Sequence, residues 1–159
     1  MTQATWVAIG AISAALVAAF ISRSVKISEF RQAWIDGLRA DISEFVSKAH
    51  EWIDLYVEFN SDSSNEKKSE SVLSLKRIKY DAFHVLRRIE LRFKPDDTEA
   101  DSLIAALRDL LDPAKLDPNS NYLSWLKLAD DTTLRARRLL KEEWEVTKNP
   151  FRKARKVGP

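Results

Sequence analysis

The chain opens with an unbroken apolar run, and amphipathic segments follow it. Residues 1–22 contain no charged side chain. A helix of this length rises 1.5 Å per residue and reaches about 33 Å, enough to cross a hydrocarbon core of about 30 Å. We therefore predict a transmembrane helix over 1–22.

A cleaved signal peptide is the alternative for this run, because Val17, Ala18 and Ala19 form a segment that a signal peptidase accepts. No Lys or Arg precedes the run, however, and the run exceeds the roughly 7–15 residues of a signal core. These features favour a retained anchor. Arg23, Lys26 and Arg31 follow the run directly, and basic flanks stay on the cytoplasmic side. We expect an outside N-terminus and a cytoplasmic domain.

Small residues recur on one face of the predicted span. Gly10, Ala14 and Ala18 are spaced by four residues and form one row. Small residues let helix backbones approach closely in lipid, where packing rather than hydrophobicity drives association. The row therefore predicts self-association, although alanine is also common in short bacterial membrane helices, and both interpretations stay open.

Beyond the span, apolar residues recur at intervals of three or four, which is the period of one helical face. This pattern predicts a stalk helix over 23–59, continuous with the span. Gly37 within it indicates either close packing or a bend. The predicted apolar stripe consists of Ile27, Phe30, Trp34, Leu38, Ile42, Phe45, Ala49, Trp52, Tyr56 and Phe59.

A polar segment over 60–69 predicts a loop, and a helical cytoplasmic domain over 70–149 follows it. Pro95 should stop the first helix of that domain. Asp96 precedes Glu99 by three residues, the spacing of a capping box, and predicts the next helix start. That short helix should span 98–111. A final helix should start after Asn119 or Ser120 and end at Asn149-Pro150.

Composition supports an all-α class, because the 159 residues include only three Gly and five Pro. The chain has no Cys, which excludes disulfides and thiol chemistry. It also lacks a phosphate-binding glycine loop, an HExxH helix and a GxSxG elbow. His50 and His84 lie far apart in sequence and are expected to be solvated or packed. We predict no catalytic residue, metal or cofactor, and hence no enzyme.

Basic residues crowd the helix that precedes Pro95, and they are the strongest candidates for ligand binding. Arg87, Arg88, Arg92 and Lys94 lie within two turns, next to the start of the following helix. Arginine forks and a helix N-terminus both suit phosphate groups. The four residues therefore predict an anionic ligand site. The alternative is a solvated face, with its charges balanced by acids such as Glu90.

The last segment, 150–159, is a basic tail that reads PFRKARKVGP. Such clusters attract anionic lipid headgroups when they reach a membrane, and they attract nucleic acid without sequence preference. A plain solubilising tail is the third interpretation. The sequence leaves these alternatives open.

Three stretches, KISEFRQAWIDGLRADISEF, RIELRFKPDD and RRLLKEEWEVTK, together resemble a broad set of small bacterial single-pass membrane proteins. That resemblance covers most of the chain beyond the span and implies no catalytic role. The layout also looks similar to the small membrane component of the Hailong anti-phage system. This resemblance implies an oligomeric pore held shut by an oligonucleotide that a partner nucleotidyltransferase makes.

Two functions follow as expectations. The first is a homo-oligomeric inner-membrane channel or membrane-disrupting effector, gated by its cytoplasmic helical domain and acting in anti-phage defence. The second is a membrane-anchored helical scaffold that recruits a cytosolic partner. In both, the lipid bilayer is a partner of the chain.

Overall fold

The computed structural model describes residues 3–61 and 65–148, with side chains described at Trp6 and over 10–61 and 68–145. The predicted tail, 150–159, and the predicted helix end at Asn149-Pro150 lie outside the described residues. The described residues contain no strand, which confirms the all-α class. Four α-helices and one short 3-10 turn follow one another: α1 (Gln3–Ser61), α2 (Asn65–Glu90), α3 (Thr98–Asp109), the turn (Pro113–Lys115) and α4 (Asn121–Lys148).

Helix α1 is 59 residues long, or about 90 Å at 1.5 Å per residue. It contains no Pro, so nothing removes a backbone donor along its length. The predicted continuity between the apolar run and the stalk is therefore confirmed. The N-terminal part of α1 is long and apolar enough to cross a membrane, and its most apolar stretch has no buried residue.

The rest of α1 is one wall of a four-helix bundle. Helix α2 runs antiparallel to it, since Arg92, just past the end of α2, packs near Trp34 while Lys79 lies over the ring of Trp52. Helix α4 also runs antiparallel to α1, because Tyr122 bonds to His50 while Trp144 lies beside Ser28. Helix α3 packs against α2 and α4.

One apolar core runs through the bundle and draws on all four helices. About half of the predicted stalk therefore packs against the later helices of the same chain. Stalk residues and residues of the later helices belong to one apolar core, so the stalk is not a separate unit that ends at Phe59. Side chains with almost no exposure include Ile35, Leu38, Phe45 and Ile53 of α1, Leu86 and Ile89 of α2, Leu103 and Leu107 of α3, and Trp125 of α4. The indole of Trp125 also donates to the Leu110 carbonyl oxygen at 2.9 Å.

The predicted stripe on α1 is only partly buried. Ile27 and Phe30 at the N-terminal end of the stripe are exposed, whereas Ile35 and Ile53, outside the stripe, are buried. The reason is that α2 and α4 cover different sides of α1 and together bury a wider face than one row. At Gly37, an added Cβ would lie 2.9 Å from the Arg92 guanidinium nitrogens. Close packing is therefore the correct alternative for this glycine.

Several boundaries differ from the predictions, since α2 already ends at Glu90, before Pro95, and α3 ends at Asp109 rather than at 111. The predicted loop over 60–69 is too long, because α1 continues to Ser61 and α2 begins at Asn65. The helix formers Glu66, Lys67 and Lys68 outweigh the neighbouring Ser and Asn residues. The residue that caps α3 is Asp97, not Asp96, and its carboxylate accepts from the Ala100 backbone N–H at 3.1 Å. Asp96 instead forms the turn, with a positive φ of 66°.

Candidate functional site

The predicted ligand residues lie where α2 ends against α1. Arg88 and Arg92 are four residues apart and point to the same side, toward α1. Asp41 and Glu44 of α1 are three residues apart and face them. Antiparallel packing of the two helices thus aligns two arginines with two carboxylates.

Asp41 is the centre of this cluster. Its Oδ2 accepts from Arg92 Nε at 2.7 Å, and its Oδ1 lies 3.0 Å from Arg88 Nη2. The Asp41 side chain is only 10% exposed and Arg92 is 29% exposed, so their ion pair is largely shielded from water, whereas Arg88 is 42% exposed and lies partly in solvent. Arg88 also bonds to Glu44, and this bond, followed by the charges of both acids, raises the pKa of the Arg88 guanidinium. Every carboxylate and guanidinium in the cluster has an oppositely charged partner.

Arg87 belongs to a second cluster, centred on Glu90. Arg87 Nη1 donates to Glu90 Oε2 at 2.6 Å, and Arg108 of α3 donates to the other carboxylate oxygen. Burial alone would raise the pKa of Glu90, but the two arginine hydrogen bonds outweigh it and the pKa is lowered. Glu90 therefore joins α2 to α3 through its carboxylate, whose charged form the two arginines favour.

Lys94 lies in the turn after α2 and is exposed. Partial burial raises the pKa of Glu143 on α4, although the positive charge of Arg31 acts in the opposite direction. Lys94 also lowers this pKa, but only weakly. The carboxylates of Asp97 and Glu142 raise that pKa further. Lys94 thus lies in a region that contains both basic and acidic side chains.

The four predicted residues consequently do not form one open basic surface. Two face α1, one pairs with Glu90 on its own helix and one lies in the turn, and the three arginines are paired with acids. Glu90 was predicted from the sequence as a balancing acid, whereas Asp41, Glu44 and Arg108 were not. The three-residue spacing of Asp41 and Glu44 beside the α1 stripe was the available signal. The anionic ligand site stays a prediction, and such a ligand would compete with these carboxylates.

The predicted packing row of the span is uncovered. An added Cβ at Gly10 would meet nothing within 4 Å, and Ala14 and Ala18 are both exposed. These three positions share one side of α1 and are free to contact lipid or a second helix. A groove lies further along α1 toward its C-terminal end and is lined by Val25, Ser28 and Trp144, among others.

The two histidines are separate. His50 bonds to the Tyr122 hydroxyl at 2.9 Å and stacks on Trp125, while His84 is exposed on α2. In the part of the chain that the structure describes, no group of three His, Asp or Glu side chains is arranged to hold a metal ion. Comparisons with family models, with curated proteins and with solved structures give no match to this chain.

Proposed function

We propose that this chain is a single-pass protein of the bacterial inner membrane, whose copies assemble through the span into a channel or membrane-disrupting effector. The observation that carries the proposal is the uneven covering of α1. The same helix buries Phe45 completely and leaves Leu16, Phe20 and Phe30 between 61 and 76% exposed. Exposed large apolar residues in an adjoining series indicate an apolar partner.

A bilayer accounts for the first part of that series. Residues 5–22 match the thickness of a hydrocarbon core, and the cations Arg23 and Lys26 follow at once and are exposed. Basic flanks are retained in the cytoplasm, which gives an outside N-terminus and a cytoplasmic bundle. The bilayer does not account for Ile27 and Phe30, which lie beyond these cations.

A second copy of the chain accounts for two features: the row of small residues in the span and the exposed residues Ile27 and Phe30. Gly10, Ala14 and Ala18 offer a close-approach face within the bilayer. Ile27 and Phe30 add exposed apolar surface on α1 beyond the bilayer. Several copies packed through these surfaces would bring their spans together around an axis, as a pore requires. The layout shared with the Hailong membrane component supports a defensive role, and gating by an anionic ligand at Arg87, Arg88, Arg92 and Lys94 is part of the same proposal.

Replacing Gly10 and Ala14 by leucine is expected to shift the purified protein in detergent from an oligomer toward the monomer mass, because two bulky side chains hold the spans apart. Expression of the wild type should depolarise the cell membrane, and the double variant should do so much less. Mass measurement and a potential-sensitive dye give the two readouts.

Ala19→Leu is the control, since Ala19 is an exposed span residue on the side of α1 opposite Gly10 and the change adds the same bulk as Ala14→Leu. It should retain both the oligomer and the depolarisation. An oligomer mass that is the same in the wild type and the Gly10/Ala14 variant would exclude assembly through this face.

A scaffold is the second candidate, and exposed apolar residues on α2 favour it. Leu73 and Tyr80 are 69 and 74% exposed and lie seven residues apart on one side of the helix. Such a pair suits a cytosolic protein partner. Capture of one soluble protein that depends on Leu73 and Tyr80, without depolarisation, would favour the scaffold over the channel.

A further inference from the structure

One side of α1 carries two cations and two large apolar side chains just beyond the span. Arg23, Lys26, Ile27 and Phe30 follow the spacing i, i+3, i+4 and i+7, which places them on one side of a helix. All four side chains are exposed, and Phe30 is 76% exposed. Neither cation has an ion-pair partner among the described residues. We call this surface the Phe30 side.

The groove between α1 and α4 lies at the same level of α1, on a different side of the helix. Its lining includes three apolar side chains and two carboxylates, which are Val25, Ala33 and Trp144, and Glu29 and Asp36. Glu29 has no ion-pair partner in the part of the chain that the structure describes, whereas Asp36 is paired with the exposed Arg39. The groove is thus apolar and acidic, which complements the apolar and cationic Phe30 side.

We propose that the Phe30 side of one copy of the chain packs into the groove of the next copy. The inference rests on the proposed assembly of several copies and specifies how they contact one another beyond the bilayer. Copies that share one orientation in the membrane hold each residue at the same depth, and Phe30 lies at the middle of the groove residues on α1, 25–36. Phe30 also lies about 130° around α1 from the centre of that lining, at about 100° per residue. Two complementary surfaces on different sides give a heterologous contact, which forms a ring if the rotation closes.

The distribution of charge favours this contact over a symmetric one. In a symmetric pair, two Phe30 sides would meet and bring Arg23 and Lys26 of both copies together, and such like charges suppress association. In the heterologous contact, the same cations meet Glu29 of the neighbouring copy. Charges at an interface select the partner and its register, while a large aromatic side chain such as Phe30 supplies the apolar burial. Together they specify which two surfaces meet.

The span has the same two sides. Positions seven apart on a helix differ by only about 20°, so Leu16 lies on the Phe30 side and Ala18 lies on the groove side. Leu16 is 67% exposed, and Ala18 is exposed as well. A side with large residues that meets a side with small ones allows close packing in lipid. Because Leu16 already projects from the Phe30 side, one further leucine there, as in Ala19→Leu, remains tolerated.

Photo-crosslinking from position 30 tests the contact. Phe30 is replaced by p-benzoylphenylalanine in the full-length protein, which keeps an aromatic side chain there, and bacterial membranes that contain the variant are irradiated. The expected product has at least twice the monomer mass on a denaturing gel, with position 30 attached to Trp144 or Ala33 of a second copy. Tyr80 on α2 is 74% exposed and provides the matched control. The same replacement at Tyr80 should give no attachment to the groove.

A charge exchange tests the complementarity. Glu29→Lys should lower the yield of the cross-link several-fold, because it places a cation against Arg23 and Lys26 of the neighbouring copy. Arg23→Glu in the same chain should restore the yield. Residues 23 and 29 are six apart and do not face each other within one helix, so this restoration reports a contact between copies. Glu70→Lys changes an exposed acid of α2 and should leave the yield unchanged.

The results separate this inference from the proposed assembly. A wild-type protein with the monomer mass in detergent would overturn the assembly itself. An oligomeric wild type whose position 30 attaches to residues 27–31 of another copy, or gives no cross-link between copies, would overturn the heterologous contact alone. A yield in Glu29→Lys equal to that of the parent would likewise contradict the contact.

Discussion

Phe45→Ala is expected to lower the free energy of unfolding of the bundle by about 3–5 kcal/mol, the cost of truncating a fully buried aromatic side chain and leaving a cavity. Phe45 has no exposed surface and lies in the core between α1 and the other helices. Urea unfolding of the full chain in detergent, followed by circular dichroism, measures the change. Phe45→Leu should lose less, since most of the apolar volume remains.

Phe30→Ala is the matched control on the same helix. The Phe30 side chain is 76% exposed in the single chain, so in the monomer that the Gly10/Ala14 leucine variant is expected to give, its removal should leave the unfolding free energy within about 0.5 kcal/mol of that parent. A loss at Phe30 as large as that at Phe45 would show that something within the isolated chain covers Phe30. The proposed outer surface for a second copy would then be wrong.

Asp41→Asn is expected to destabilise the bundle by about 2–3 kcal/mol, because it leaves Arg92 without a charged partner in a largely dry position. Arg92 is held against Gly37 and is 29% exposed, and Asp41 is its only ion-pair partner in the described part of the chain. Asparagine keeps the size of the side chain, so the loss reports the charge. Thermal unfolding at neutral pH measures it.

Glu44→Gln provides the comparison, since Arg88 then keeps Asp41 as a partner and both Glu44 and Arg88 are partly in solvent. Stability should change little, as is usual for exposed ion pairs. If Asp41→Asn is instead neutral, the cluster does not hold α1 to α2. The arginines would then be available to an anionic ligand after all.

The helices and their order could be predicted because each depends on local patterns. The apolar stripe over 23–59 is an example, because Leu38, Phe45 and Trp52 are buried where the period of three and four places them. The run over 1–22 and its continuity with the stalk likewise needed only the absence of charge and proline. Helix ends were less certain, since Asp96 and Asp97 both satisfy a capping pattern and only the turn geometry selects Asp97.

The charge network could not be predicted, because it depends on the register between helices. Asp41 lies 51 residues before Arg92, and nothing in the sequence fixes which turn of α1 faces which turn of α2. Burial of Ile35 and Ile53 beside the predicted stripe has the same cause, since two helices cover α1 from different sides.

The most direct test of the account is the sidedness of α1 in the membrane. Thr2→Cys and Ser47→Cys place single thiols at the N-terminal end of the apolar run and on the exposed surface of the bundle. In spheroplasts treated with a membrane-impermeant maleimide, the account predicts that Cys at position 2 of the full-length protein reacts at once, while Cys at position 47 reacts only after permeabilisation. Reaction at position 47 in intact spheroplasts, or recovery of the protein in the soluble fraction after alkaline extraction, would contradict it.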